Sequence, residues 1–265
     1  MKIKEIVSAL ERFAPLPLQD GFDNAGLQIG LTEAEATGAL LCLDVTEAVL
    51  DEAIALGYNL VISHHPLIFK GYKSITGKDY VERCILKAIK NDIVIYSAHT
   101  NLDNAYGGVN YKIAEKIGLK NLQVLEPKEN SLQDDLTQVG AGIVGELDEP
   151  ETELEFLKRI KKTFEVGCVR YNRLTGREIQ KVALCGGAGA FLLPQAIRAG
   201  ADVFITGEIK YHDYFGHEGD ILMAEIGHYE SEQYTKEIFY SIIRDLFPNF
   251  ALQLSKINTN PIKYL

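Results

Sequence analysis

Short apolar runs recur along the chain, each broken by turn formers or by the onset of helical spacing. Residues 39–45, 60–63, 93–96, 182–185, 202–205 and 221–224 are such runs. Continuous apolar stretches of this length suit strands buried on both faces of a sheet. Between them apolar positions recur at helical intervals. Residues 1–13, 80–90, 109–117, 151–164 and 233–246 show that spacing, as does a segment ending at Ala199. After the first run, Thr46 has the chemistry of a helix N-cap. Val49, Leu50, Ala53, Ile54 and Leu56 then share a face, and Gly57 ends the helix. Strand, helix and strand in that order predict a parallel βαβ unit with a right-handed crossover. Residues 137–147 alternate as a strand does, residues 168–171 form a further short strand, and the acidic run Asp148-Glu149-Pro150-Glu151 reads as a solvated helix start.

The two ends of the chain repeat each other. At an offset of 143, Cys42 meets Cys185, Leu50 meets Leu193, Ala53 meets Ala196, Ile54 meets Ile197, Gly57 meets Gly200 and Ile62 meets Ile205. The expectation is an α/β protein of two related half-units, with mixed, largely parallel sheets and helices packed on them. The halves are residues 1–126 and 127–265. Residues 127–180 are a more polar middle segment, and the final helix packs back on the N-terminal half.

The chemistry gathers where strands end, which is where α/β folds bind ligands. The run at 60–63 stops at His64-His65-Pro66. Neighbouring residues on an extended strand point to opposite faces, so both imidazoles serve one site only where the strand has ended. Pro66 enforces that break. The competing reading of this stretch is two polar loop residues, one hydrogen-bonded and one solvated. A second signal separates the two. His99-x-x-x-Asp103 follows one apolar strand and His228-x-x-x-Glu232 follows another. Generic strand and helix patterns explain apolar matches between repeats, but not an imidazole and a carboxylate four residues apart twice over. Two halves facing each other would gather His64, His65, His99, Asp103, His228 and Glu232 in the cleft between them. Imidazole and carboxylate without thiolate suit Zn, Mn, Fe, Co or Ni. The donors exceed what one open ion needs, and a pair ~3.5–4 Å apart would use them all.

Other glycine-rich stretches carry less. Gly71 to Lys78 has five residues between its glycines and Asp79 where a phosphate loop needs Ser or Thr. Gly186-Gly187-Ala188-Gly189 lacks the third glycine of a dinucleotide fingerprint, and tight packing explains it better. On spacing alone Asp23 and Asn24 read as turn formers.

Composition then narrows the class. The four cysteines (Cys42, Cys84, Cys168, Cys185) are far apart, which points to a reducing compartment and away from a cysteine zinc site. Glu5 and Glu11 interrupt what a signal peptide would need as its apolar region, and no run approaches the ~20 residues of a membrane helix. A soluble cytoplasmic protein is expected. The net charge of −10 argues against nucleic acid as the main partner and suits a protein that holds cations.

Asp23-Asn24-x-Gly26-Leu27, Ser63-His64-His65-Pro66, Ser97-x-His99-Thr100-Asn101-Leu102-Asp103, Thr206-Gly207-Glu208 and Gly227-His228-Tyr229-Glu230-Ser231-Glu232 together resemble the GTP cyclohydrolase 1 type 2 homologues, the Nif-three-like family. The likeness covers nearly the whole chain, in a short form without the domain that some members insert midway. It implies two divalent metal ions per chain held by His64, His65, Asp103, His228 and Glu232, with Glu232 bridging. It also implies a toroidal homohexamer with its sites facing inward. Asn24 goes with Asp23, Glu208 and His212 as groups that orient ligands or face substrate, and His99 becomes the proton shuttle. The expected activity is hydrolysis of a nucleotide or phosphorylated small molecule by a metal-activated bridging water. The reading from another class is a metal-holding scaffold, regulatory protein or metallochaperone. A ring threaded by single-stranded nucleic acid is disfavoured by the acidic total.

Overall fold

A computed structural model of the chain describes residues 1–128, 139–217 and 219–265. In chain order the elements begin with α1 (Ile3–Phe13), β1 (Gly26–Ile29), β2 (Ala39–Cys42), α2 (Glu47–Leu56), β3 (Leu60–Ser63), α3 (Tyr80–Lys90) and β4 (Val94–Ser97). There follow α4 (Thr100–Asp103), α5 (Val109–Ile117), β5 (Lys120–Pro127), β6 (Gly140–Thr152), α6 (Glu153–Thr163) and β7 (Arg170–Tyr171). The chain continues through β8 (Glu178–Cys185), α7 (Leu193–Arg198), β9 (Val203–Thr206), β10 (Leu222–Glu225), α8 (His228–Glu232), α9 (Thr235–Leu246) and β11 (Leu252–Leu254).

The chain folds as two units, Met1–Leu102 with Thr235–Pro261, and Asp103–Tyr234 with Ile262–Leu265. The first holds a five-stranded sheet in the order β1-β4-β3-β2-β11. Strands β2, β3, β4 and β11 are parallel, and β1 caps one edge antiparallel to β4. Residues of β2, β3 and β4 are buried at every position, as continuous apolar runs require of strands covered on both faces. Thr46 caps α2 by accepting from Val49 N, and Gly57 closes that helix in the left-handed region at φ 70°. One face of the sheet packs Leu40, Cys42, Val61 and Ile95 against Val49, Leu50, Cys84 and Ile85 of α2 and α3. Helix α9 belongs to this unit and packs on α1.

The second unit holds a six-stranded sheet in the order β5-β6-β8-β9-β10-β7. Its centre, β8, β9 and β10, is parallel; β5, β6 and β7 run antiparallel to their neighbours. The 143-residue repeat holds down to the register. Ala39 pairs with Leu60 and Cys42 with Ser63 in one sheet, and Val182 with Val203 and Cys185 with Thr206 in the other. Phe204 is fully buried against Ala183, Leu192, Ala196 and Met223. Replacing Phe204 by Ala should cost about 3–5 kcal/mol, read as a lower urea midpoint with unchanged slope; a change below about 1 kcal/mol would mean the site collapses around the void.

Three expectations change. The expected boundary at 126/127 put residues 103–126 with the first half, whereas β5 pairs with β6 and draws them into the second unit. The acidic run at 148–151 is not a helix start. It lies in β6 around a register irregularity, and the helix begins at Glu153 with a Thr152–Glu155 capping box. Of the strand expected over 137–147, residues 137 and 138 lie outside the described residues, and β6 starts at Gly140. Strands β1, β5 and β11 were not expected. Each is only partly buried, so none shows a continuous apolar run.

Candidate metal centre

In the first unit β3 ends at Ser63 and the chain turns. The amides of His64 and His65 both donate to Leu43 O, at 3.1 and 3.0 Å, so the turn stays attached to the end of β2. That turn brings both rings to one side. Their centroids lie 4.9 Å apart, and 5.2 and 5.4 Å from His99, which follows β4. His64, His65 and His99 each offer a ring nitrogen within 4.8 Å of the others. The strand end explains what an extended backbone forbids, two adjacent side chains in one cluster.

Each ring is aimed from behind. His64 Nδ1 is 2.9 Å from Ala98 O, His65 Nδ1 is 2.7 Å from Asp44 Oδ1, and His99 Nδ1 is 2.7 Å from Asp23 Oδ1. A carbonyl or carboxylate oxygen only accepts, so Nδ1 carries a proton, and in the neutral ring Nε2 then presents its lone pair, the form in which imidazole binds a cation. Asp44 is itself held, because Thr259 Oγ1 donates to its other oxygen at 2.5 Å. Burial pushes the Asp44 carboxyl up, but the hydrogen bond and charge of His65 and the bond from Thr259 leave it below its ordinary value. Two large exposed rings flank this cluster, with Phe69 5.9 Å from His99 and Phe22 stacked on Phe69 at 6.4 Å.

Asp23 is more than a turn former. Beyond His99 it accepts from Thr100 N at 3.0 Å and Thr100 Oγ1 at 2.5 Å. Burial raises its pKa, and the bonds from His99 and Thr100 outweigh that, lowering it from 3.8 to about 2. Because the folded value is depressed, the stability it supplies is complete above the ordinary carboxyl value and drains away as pH falls from about 4 towards 2. In chelator-treated protein, Asp23→Asn should flatten the acid limb of unfolding free energy in that window; an unaltered limb would contradict the assignment.

The second unit carries the other set. Gly227, at φ 93°, turns the chain out of β10 into α8. His228 and Glu232 then share a face, with His228 Nε2 3.1 Å from Glu232 Oε2. His228 Nδ1 is 2.8 Å from Glu208 Oε1, repeating the arrangement of His65 and His99. Asp103 and Glu232 each offer a carboxylate oxygen within 4.8 Å of the other. Glu232 is only 3% exposed. Two carboxylates this close, one of them buried, repel unless a proton or a cation lies with them. His64, His65 and His99 form one group that could hold a metal ion, and Asp103, His228 and Glu232 each belong to further such groups. Asn110 Nδ2 ties down Asp103 O at 3.1 Å, and its Oδ1 accepts from Gly186 N at 2.9 Å.

The glycines after β8 serve this set. A Cβ on Gly187, whose φ is +59°, would stand 2.2 Å from Glu232 Oε1. The Gly187 amide donates to Ser231 Oγ and that of Gly189 to Thr206 Oγ1, both at 3.0 Å, so these amides are not a phosphate cradle. Gly187→Ala should push the Glu232 carboxylate aside and lower bound metal per chain while circular dichroism stays unchanged; full metal content would refute the packing role. Gly71 to Lys78 is likewise committed elsewhere, since Thr76 N and Lys78 N both donate to the buried Glu82 carboxylate.

Two expected residues lie outside these clusters. Asn24 is spent on the backbone, with Nδ2 donating to Ile68 O at 2.6 Å. His212 is exposed in the 3-10 turn Tyr211–Tyr214 and meets Tyr211 edge-on at 5.2 Å. Sequence reading missed Asp44 and Thr259. Asp44 was findable, as a carboxylate just past the end of the strand beside the histidine strand. Thr259 carried no signal, lying far along the chain from the imidazole it supports.

Comparison with known proteins agrees with the resemblance. A family model described as Duf34/NIF3 (NGG1p interacting factor 3) matches residues 1–261. A "GTP cyclohydrolase 1 type 2 homolog" of Clostridium perfringens is 37% identical over 88% of this chain and 87% of its own length. A protein of the same name from Lactococcus lactis is 33% identical over 98% of both chains. Among solved structures, the Staphylococcus aureus hypothetical protein SA1388 superposes with a TM-score of 0.90 at 32% identity, covering 100% of this chain and 99% of its own.

Proposed function

This chain belongs to the Duf34/NIF3 family, and from that premise we propose that it is a dinuclear metal-dependent hydrolase acting on a nucleotide or a phosphorylated small molecule. The observation that carries the reading is the support behind the imidazoles. Nδ1 of His64, His65 and His228 faces an oxygen acceptor in each case, which in the neutral ring leaves the lone pair on Nε2, and His228 Nε2 stands 3.1 Å from Glu232 Oε2. In this reading His64, His65, Asp103, His228 and Glu232 would hold one pair of divalent ions. Imidazole and carboxylate donors suit Zn, Mn, Fe, Co or Ni. Bound there, such ions supply a Lewis acid and a water of lowered pKa. His99 would act as the proton acceptor of the site, with Asp23 holding its ring in the accepting tautomer and stabilising it once protonated. Glu208 does the orienting for His228 from a more exposed position.

The relatives named GTP cyclohydrolase 1 type 2 homolog suggest opening of a guanine ring as one reaction to try. A screen of metal-loaded protein against nucleotides and phosphoesters tests the proposal. Turnover that vanishes in Asp103→Ala supports it. Full metal occupancy with no turnover across the screen would favour a metal-holding scaffold. No helix of the described residues is long and apolar enough to cross a membrane. A cytoplasmic homohexameric ring is part of the proposal, and light scattering of the purified protein measures that mass.

A further inference from the structure

The second unit carries a cavity of about 600 Å³ that includes none of the residues discussed as metal ligands. That volume lies within the range of small-molecule sites, about 300–1,000 Å³. Its walls come from β7 and the segment after it, and from the 3-10 turn at Tyr211–Tyr214 with Phe215. Tyr171, Tyr211 and Phe215 are 47%, 67% and 56% exposed, a concentration of flat apolar surface that would otherwise face water. Tyr211 and Phe215 meet edge-to-face at 5.3 Å, which fixes both rings.

Two guanidinium groups line the same cavity, and they differ. Arg170 donates to Glu225 Oε1 at 2.8 Å, and Oε2 of that carboxylate accepts from Tyr214 Oη and Ile209 N. Its charge is balanced and its position locked. Arg173 makes no hydrogen bond or ion pair within the described residues. One unspent planar fork beside exposed rings matches one carboxylate in charge and shape. Among the described residues lining the cavity, a dianionic phosphate would find one uncommitted cation, with the Glu225 carboxylate close behind the wall, which disfavours it.

We propose that this cavity binds a small aromatic monocarboxylate, its ring against Tyr211 and Phe215 and its carboxylate on Arg173. The inference does not rest on the metal reading. Isothermal titration with benzoate tests it, run on the protein as purified and again after chelation, because a carboxylate would also bind metal ions. Benzoate should bind once per chain in both preparations. Benzamide, without the charge, and cyclohexanecarboxylate, without the flat ring, should each bind more weakly. Arg173→Ala should weaken benzoate about tenfold or more, with Arg173→Lys between the two. Arg173 is exposed, so the fold should survive the change. Benzoate binding that disappears on chelation, equals that of either control, or ignores Arg173→Ala overturns the proposal. So does tighter binding of AMP, which would make this a phosphate site. A shift in oligomeric mass on Tyr211→Ala would mark the cavity as a contact between copies and also overturn it. Failure of these arms leaves metal occupancy unchanged, and failure of the metal reading leaves benzoate binding unchanged.

Discussion

Glu232→Gln empties at least one of the two metal positions expected in each chain. The substitution keeps the shape of the side chain and its place on α8, so the packing beside Gly187 survives. What it removes is a negative charge from a position that is nearly closed to water. A neutral amide oxygen is a poor bridge between two divalent ions, and its NH₂ group faces them with the wrong polarity. Elemental analysis after exhaustive dialysis should fall from about two ions per chain to one or none. A second signature follows from the carboxylate pair. Without ions, Asp103 and Glu232 repel each other across less than 4.8 Å. The metal-free variant should therefore lose less stability than metal-free wild type does relative to its loaded form. Retention of two tightly held ions by Glu232→Gln would remove this residue from the ligand set.

Asp44→Ala is expected to reduce metal affinity about 10–100-fold without touching a ligand atom. Asp44 Oδ1 holds His65 Nδ1 at 2.7 Å, and Thr259 fixes the other oxygen. With the carboxylate gone, the ring can rotate and its Nδ1 proton has no fixed acceptor, so the lone pair on Nε2 is present for only part of the time. Thr259→Val removes one support of the carboxylate but not the carboxylate itself. Its effect should have the same sign and be smaller. The order wild type, Thr259→Val, Asp44→Ala in competition with a chelator reads this relay directly. A merely structural role for Asp44 would lower thermal stability and leave the ranking of metal affinities flat. Asp44→Asn separates the two further, since it fills the same space while losing the charge.

How much of the centre could be read along the chain depends on what each residue's role requires locally. His64 and His65 announced themselves because a buried strand rarely ends in two imidazoles and a proline. His228 and Glu232 were legible because i and i+4 share one face of any helical turn. Asp23 was misjudged on spacing, since its neighbours form turns and its partners, His99 and Thr100, lie 76 and 77 residues away. The same limit hid β1, β5 and β11. Their exposure alternates or is only partial, and their hydrogen bonds run to strands that local composition does not name.

Local pattern by itself determined the order of the buried strands and of the helices between them, the repeat at 143 residues and the types of donor available. These depend on periodicity, which any short window of the chain contains. Tertiary structure alone decided which unit residues 103–126 join, which oxygen stands behind each imidazole, and that Arg173 is left uncommitted among the described residues, beside a cluster of rings. Those outcomes are set by pairing between distant segments, and a hydrogen bond 2.7 Å long leaves no trace in residues spaced tens of positions apart.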